Sequence, residues 1–178
     1  MGVNTDYLGH IEVSPSLNQI EREYLWRFSR STRRYRADSP YAVFPENPEQ
    51  DMEAVNRHVF DNRMADQPSA LCQWVPCRVG CCFSWNGWGK FYAGPDWMSY
   101  LIDHFLRPDA HAQTCGDPQF AAFTFDHQAS GVIVGEQQDN RELFLLRVSD
   151  NQVSREVLRR GDPMPWETGI GFSARDSS

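Results

Sequence analysis

Between Leu71 and Pro108 the chain holds four of its six tryptophans, four of its five cysteines and its single lysine, Lys90. A stretch this rich in rings must bury much of its length, since each aromatic side chain covers about 150–250 Å². Whatever this chain folds into is therefore built around its middle. The same stretch carries the cysteine spacing Cys72-x4-Cys77-x3-Cys81-Cys82, the one place where the residues point to thiol or metal chemistry.

At 178 residues, with 40% hydrophobic and 23% charged side chains, the chain fits one globular domain with one core. We place that domain at 1–165 and a flexible tail at 166–178. Residues Tyr7, Gly9, Ile11 and Val13 alternate with Leu8, His10 and Glu12, the period of a strand over Asp6–Val13. Ser14-Pro15 reads as a helix start, followed by Leu17, Ile20, Tyr24, Leu25 and Phe28 at helical spacing, with Trp26 off that stripe. Pro40, Pro45, Pro48 and Pro68 mark a long excursion over the surface at about 37–70, with a short helix at Glu49–Phe60.

Cys72–Cys77 and Cys81–Trp85 read as two strands of a hairpin around Arg78-Val79-Gly80, followed by a turn at Asn86-Gly87. Pro95-Asp96 opens a second helix whose Trp97, Tyr100, Leu101, His104 and Phe105 share a face until Pro108. Strands are expected at Phe120–His127, Gly131–Glu136, Glu142–Val148 and Val153–Leu158. The class is α+β, and the order predicts a ferredoxin-like βαββαβ plan with extra antiparallel strands at the C-terminal end.

Net charge of −7 and a pI near 5.2 argue against a surface that grips nucleic acid, whose affinity comes from neutralising phosphates. The arginines at 27, 30, 33, 34 and 36 are the one basic cluster, and a helix C-terminus attracts cations without any ligand. The first residues lack a basic segment followed by an apolar one, and no run of about eighteen apolar residues occurs, so a cytoplasmic location without membrane insertion is expected. An odd cysteine count in that compartment favours free thiols or metal ligands over disulfides.

Two ends of a tight hairpin can bring thiolates together for a tetrahedral zinc, and Cys72, Cys77, Cys81, Cys82 and His104 are the candidate ligands, with His111 and Cys115 as further donors. No CxxC occurs, and cysteine in a packed hairpin also serves as a small hydrophobe, so no metal or other cofactor is favoured. On a strand, neighbours Cys81 and Cys82 would face opposite sides. A catalytic cysteine would need His104, His111 or His127 beside it. The pairs Asp126-His127, Asp103-His104 and His10-Glu12 are available for proton transfer, with only His10 and Glu12 on one side of a strand. Trp85, Trp88 and Trp97 are the candidate walls of a ligand pocket, and Asn86, Trp88, Lys90 and Tyr92 form the exposed loop best suited to hold a ligand or partner.

Residues Trp85 to Tyr92, W-N-G-W-G-K-F-Y, and Trp97 to Pro108, W-M-S-Y-L-I-D-H-F-L-R-P, resemble a group of small uncharacterised bacterial and phage-borne proteins. These share W-x-G-x-x-K-F-Y followed by W-x-x-Y-L-I-x-H-F-L-x-P. The resemblance implies kinship and no activity.

With no complete catalytic set, the expected role is non-enzymatic: an acidic accessory, regulatory or immunity-type module whose partner is another protein or a second copy of the chain. The rival expectation is an enzyme or sensor with a thiolate or zinc site at Cys72, Cys77, Cys81 and Cys82.

Overall fold

The computed structural model describes residues 4–31, 33, 39–43, 67–91 and 93–163. In chain order these form β1 (Thr5–Ser14), α1 (Gln19–Arg30), β2 (Trp74–Pro76), β3 (Cys82–Trp85) and α2 (Gly94–Leu101), which runs on as a π-helical turn at Ile102–Leu106. There follow α3 (His111–Thr114), a 3₁₀ turn at Pro118–Phe120, β4 (Gln128–Gln137), β5 (Leu143–Ser149) and β6 (Gln152–Arg159). The six strands make one sheet in the order β2-β3-β1-β4-β5-β6, with every neighbouring pair antiparallel. The class is α+β. No helix among the described residues is long and apolar enough to cross a membrane.

The alternation read in β1 is the alternation of its burial: Thr5, Tyr7, Ile11 and Val13 face the core, while Leu8, His10 and Glu12 are exposed. β1 pairs with β4 along its whole length, from Thr5↔Gln137 to Ser14↔Gln128. Gly9 (φ +117°) and Gly131 (φ +142°) sit close together in this ladder, and a Cβ there would lie 2.8 Å from the Val132 carbonyl oxygen or 2.9 Å from that of His10. Paired glycine kinks of this kind bend a sheet. The bend is large, because α2, only eight residues and so about 12 Å long, packs against both edge strands, β2 and β6.

Inside the curl, the Tyr7 ring meets Trp74 of β2 at 5.0 Å, Trp85 of β3 at 5.9 Å, Phe91 at 5.7 Å and Phe144 of β5 at 6.0 Å, all edge-on. Gly135 of β4 leaves the space that the Phe144 ring occupies. The indole of Trp74 is buried and donates to the Gly94 carbonyl at 2.7 Å, fixing the start of α2 over β2.

Several expectations are corrected. α1 starts at Gln19 and not at Pro15, because Asn18 and Glu21 form a reciprocal capping box, which satisfies two otherwise unpaired amides. Ile20, expected on the apolar stripe, is exposed, and Glu21 is buried in its place. β2 and β3 are shorter than the sequence suggests, leaving Cys72, Cys77 and Cys81 outside the ladder. Phe120–His127 is not a strand: Asp117 caps a 3₁₀ turn, Phe123 closes back on the Phe120 carbonyl at 3.0 Å, and Phe125 adopts φ +49°. Its alternating Phe123, Phe125 and His127 are still buried, so the pattern reports packing without strand pairing.

The expected surface excursion is anchored inside the molecule where it is described, with Tyr41 and Gln67 both buried. Tyr24 donates to the Tyr41 carbonyl at 2.8 Å, and Gln67 to the Pro40 carbonyl at 3.0 Å. The helix at Glu49–Phe60 and the tail at 166–178 lie outside the described residues.

Candidate functional site

The β2–β3 ladder ends at the pair Pro76↔Phe83. Beyond it the Cys77 amide donates to the Cys82 carbonyl at 2.8 Å, and the Gly80 amide returns to the Cys77 carbonyl at 3.0 Å, with Gly80 at φ +79°. Cys77 and Cys82 thus face each other across the last rung, and Cys81 sits at the foot of the turn. The three sulfurs all lie within 4.8 Å of one another, and the Cys77 and Cys81 Sγ atoms are 3.6 Å apart. The strand rule that would send Cys81 and Cys82 to opposite faces does not operate, because β3 begins only at Cys82 and the turn rotates Cys81 toward the others.

This turn is clamped to the β1–α1 connection. The Val13 amide donates to the Cys81 carbonyl at 2.8 Å, the Leu17 amide to the Gly80 carbonyl at 3.0 Å, and the Arg22 guanidinium to the Arg78 carbonyl. Behind the clamp lies a buried charge pair. His127 Nδ1 is 2.7 Å from the Pro15 carbonyl, and Nε2 is 3.1 Å from Glu21 Oε1 and 3.0 Å from Thr124 Oγ1. With Nδ1 against a carbonyl and Nε2 beside a carboxylate, the surroundings favour the protonated ring.

Burial alone would raise the Glu21 carboxyl, but hydrogen bonds from His127, the Thr124 amide and the Asn18 amide outweigh it and hold it below the ordinary range. Burial alone would lower His127, but Glu21 and the Pro15 carbonyl raise it. The capping signature Asn18-x-x-Glu21 was readable in the sequence. The partnership with His127, more than a hundred positions away, was not.

The thiols divide sharply. Slight burial works to raise Cys77, but hydrogen bonds from the Cys82 and Cys81 thiols and from nearby backbone bring it down to about 7. Burial, then the adjoining Cys77 and Cys81, push Cys82 up to about 12. Of the two, Cys77 therefore gives up its proton first. Cys72, expected as a fourth ligand, is fully buried, its thiol against the Trp74 carbonyl at 3.9 Å and driven by burial to about 12.

His104 does not join the cluster either. It is buried in the helical layer, stacked on Tyr100 at 3.8 Å with Nδ1 2.7 Å from the Tyr41 hydroxyl. His111 lies edge-on to it at 4.3 Å. Cys115 is exposed, its thiol against the Ala112 carbonyl at 3.2 Å. Among the proton-transfer pairs, Asp103 forms an ion pair with Arg107 at 2.8 Å instead of meeting His104, and Asp126 stands 3.9 Å from His127. The basic cluster is not a surface patch throughout: Arg33 is wholly buried, 4.2 Å over the Phe28 ring, and donates to the Ser31 and Pro40 carbonyls at 3.1 Å each. Arg34 and Arg36 lie outside the described residues.

In the aromatic loop, Asn86 Oδ1 accepts from the Trp88 amide at 2.9 Å, and the Trp85 indole donates to the Trp88 carbonyl at 3.1 Å. The Lys90 amide donates to Asn4 Oδ1 at 3.1 Å, and Lys90 takes φ +65°. The Trp88 ring is 54% exposed on this pinned loop. Trp97 is wholly buried, its indole donating to Ser69 Oγ at 2.6 Å, so it belongs to the core and forms no ligand wall with Trp88. Tyr92, expected beside them, lies outside the described residues.

Compared with known proteins, the chain matches no family model, no curated protein and no solved structure.

Proposed function

We propose that the β2–β3 hairpin is a thiolate site for a thiophilic metal ion, and that the protein acts as a sensor or carrier of that ion and not as an enzyme. The observation that carries this is the convergence of Cys77, Cys81 and Cys82 within 4.8 Å on an accessible, backbone-clamped turn. Four-thiolate zinc at about 2.3 Å needs sulfurs at similar spacing, so little movement separates the free thiols from a shell. Soft thiolates select Cu(I) and zinc over hard cations. A cytoplasmic location accords with thiols kept reduced.

Titration with Cd(II) tests it: a thiolate-to-metal ultraviolet band should grow to one equivalent, vanish in Cys77→Ser and persist in Cys72→Ser. No band in the intact, reduced protein would sink the reading.

A second reading, an acidic accessory, regulatory or immunity-type module that binds another protein, is favoured by the Trp88 ring, exposed although its loop is pinned at three points. Anchors of that kind carry most of the energy in protein interfaces. A partner co-purified with the wild type and lost with Trp88→Ala would support it.

The fold itself supports a further proposal. The strand order β4-β1-β3-β2, with a helix after β1 and another after β3, accords with a ferredoxin-like unit to which β5 and β6 are added. The kinship suggested by the W-x-G-x-x-K-F-Y pattern stands as a proposal of the same kind.

A further inference from the structure

Resting on the thiolate reading above, we infer that the ion this hairpin takes is monovalent copper, held by the Cys77, Cys81 and Cys82 sulfurs alone in a three-coordinate shell. The first reason is the donor count. Among the described residues the cluster contains three sulfurs, and no histidine, carboxylate or further cysteine belongs to it. A structural zinc ion closes a tetrahedral shell with four protein ligands, whereas Cu(I) is the softest of the common candidates and is satisfied by few thiolates.

The second reason is what surrounds the three sulfurs. Cys72, the nearest thiol along the chain, is sealed in the core. Glu12 stands opposite Cys82 in the β1–β3 register and is the one carboxylate that the ladder sets beside a thiol, but its oxygens lie outside the cluster, and a carboxylate is a poor donor for a soft ion.

The third reason is preorganisation. Hydrogen bonds from Val13, Leu17 and Arg22 to the carbonyls of Cys81, Gly80 and Arg78 hold the turn from outside the shell. Side-chain rotation alone then brings the sulfurs onto one ion. Three thiolates and one monovalent cation leave two negative charges on a turn whose Cys81 is exposed to solvent. On binding, the thiol protons pass to solvent, and no electron is transferred.

The test is an anaerobic titration of the reduced full chain with Cu(I) held by a chromophoric chelator. One ion per chain is expected, with three sulfur neighbours by X-ray absorption. Losing a second-shell group costs about 10–100-fold in affinity, so Cys77→Ser, Cys81→Ser and Cys82→Ser should each weaken binding by at least about 100-fold. Cys72→Ser and Cys115→Ser should bind like the wild type. Cys81 is exposed, so its variant serves as the folded control if either of the others fails to fold.

A two-sulfur shell that survives Cys81→Ser would overturn the inference. So would Co(II) and Zn(II) binding in a four-coordinate shell that Glu12→Gln abolishes, although the thiolate reading would stand. Failure of Cu(I), Zn(II) and Cd(II) alike would remove both.

Discussion

The two ends of the β2–β3 ribbon carry the same residue type in opposite states. At one end Cys72 is fully buried in the aromatic core, its thiol against the Trp74 carbonyl. At the other, past a ladder of three residue pairs, Cys77, Cys81 and Cys82 converge in reach of solvent. Cys72 and Cys77 are separated by four residues, yet one thiol is pushed to about 12 and the other drawn to about 7. Spacing along the chain does not make a cysteine a ligand or a piece of filler. What packs over it, and which dipoles face its sulfur, decide.

Thiol labelling should show the largest contrast. At pH 7 about half of Cys77 is thiolate against about 10⁻⁵ of Cys72, and the lower nucleophilicity of the more acidic thiol recovers only part of that gap. We expect iodoacetamide to label Cys77 at least about a hundredfold faster, with Cys72 reacting only in denaturant, as read by peptide mass spectrometry. Native-state labelling of Cys72 at a comparable rate would dissolve the distinction.

Breaking the sealed end is the next largest effect. Trp74→Ala removes a buried indole and its bond to the Gly94 carbonyl and should cost about 3–5 kcal/mol in denaturant unfolding. Cys72 should become reactive in that variant while Cys77 keeps its rate, if the two ends are independent.

The open end leans on the buried pair behind its clamp, which Glu21→Gln would disturb. Removing one partner of a buried ion pair costs about 3 kcal/mol. His127 is raised in the folded state, so its contribution is complete below its unfolded value of 6.5 and is lost as pH rises through the folded one. Glu21 is lowered, so its contribution is complete above 4.5 and is lost as pH falls through the folded value. The stability difference between wild type and Glu21→Gln should therefore peak between pH 4.5 and 6.5 and narrow on both sides, as urea melts across pH would show. A flat difference would mean that His127 is neutral.

Trp88→Ala should change least, within about 0.5 kcal/mol in stability, because its ring is exposed and the loop is held through backbone groups. Any larger loss would place Trp88 in the core after all.

Much of the architecture could be read from local pattern. Period-two alternation located β1, runs bounded by the turn residues Asp139-Asn140 and Asp150-Asn151 located β4 to β6, and the ring-rich stretch announced the core, since Trp74, Phe83, Phe91 and Trp97 are all buried. These are properties of neighbouring residues, and burial of an apolar face follows from its periodicity alone. Asn18 and Glu21 carried their capping signature openly, although Ser14-Pro15 drew the helix start away from them. Phe123, Phe125 and His127 showed the limit of alternation, which reports a buried face but not a paired strand.

The sequence by itself determined that the chain makes one α+β core around its aromatic middle and that four of its five thiols stand at a hairpin. Tertiary structure alone decided which thiols meet. The turn at Gly80, pulled down by Val13 and Leu17, rotates Cys81 toward Cys77 and Cys82, while Cys72 is buried in the core. The same is true of Glu21 and His127, each ordinary in its own segment and a charge pair only because α1 and the chain before β4 are packed together with both side chains buried. Contacts between distant segments depend on how whole elements pack, and no local period encodes that.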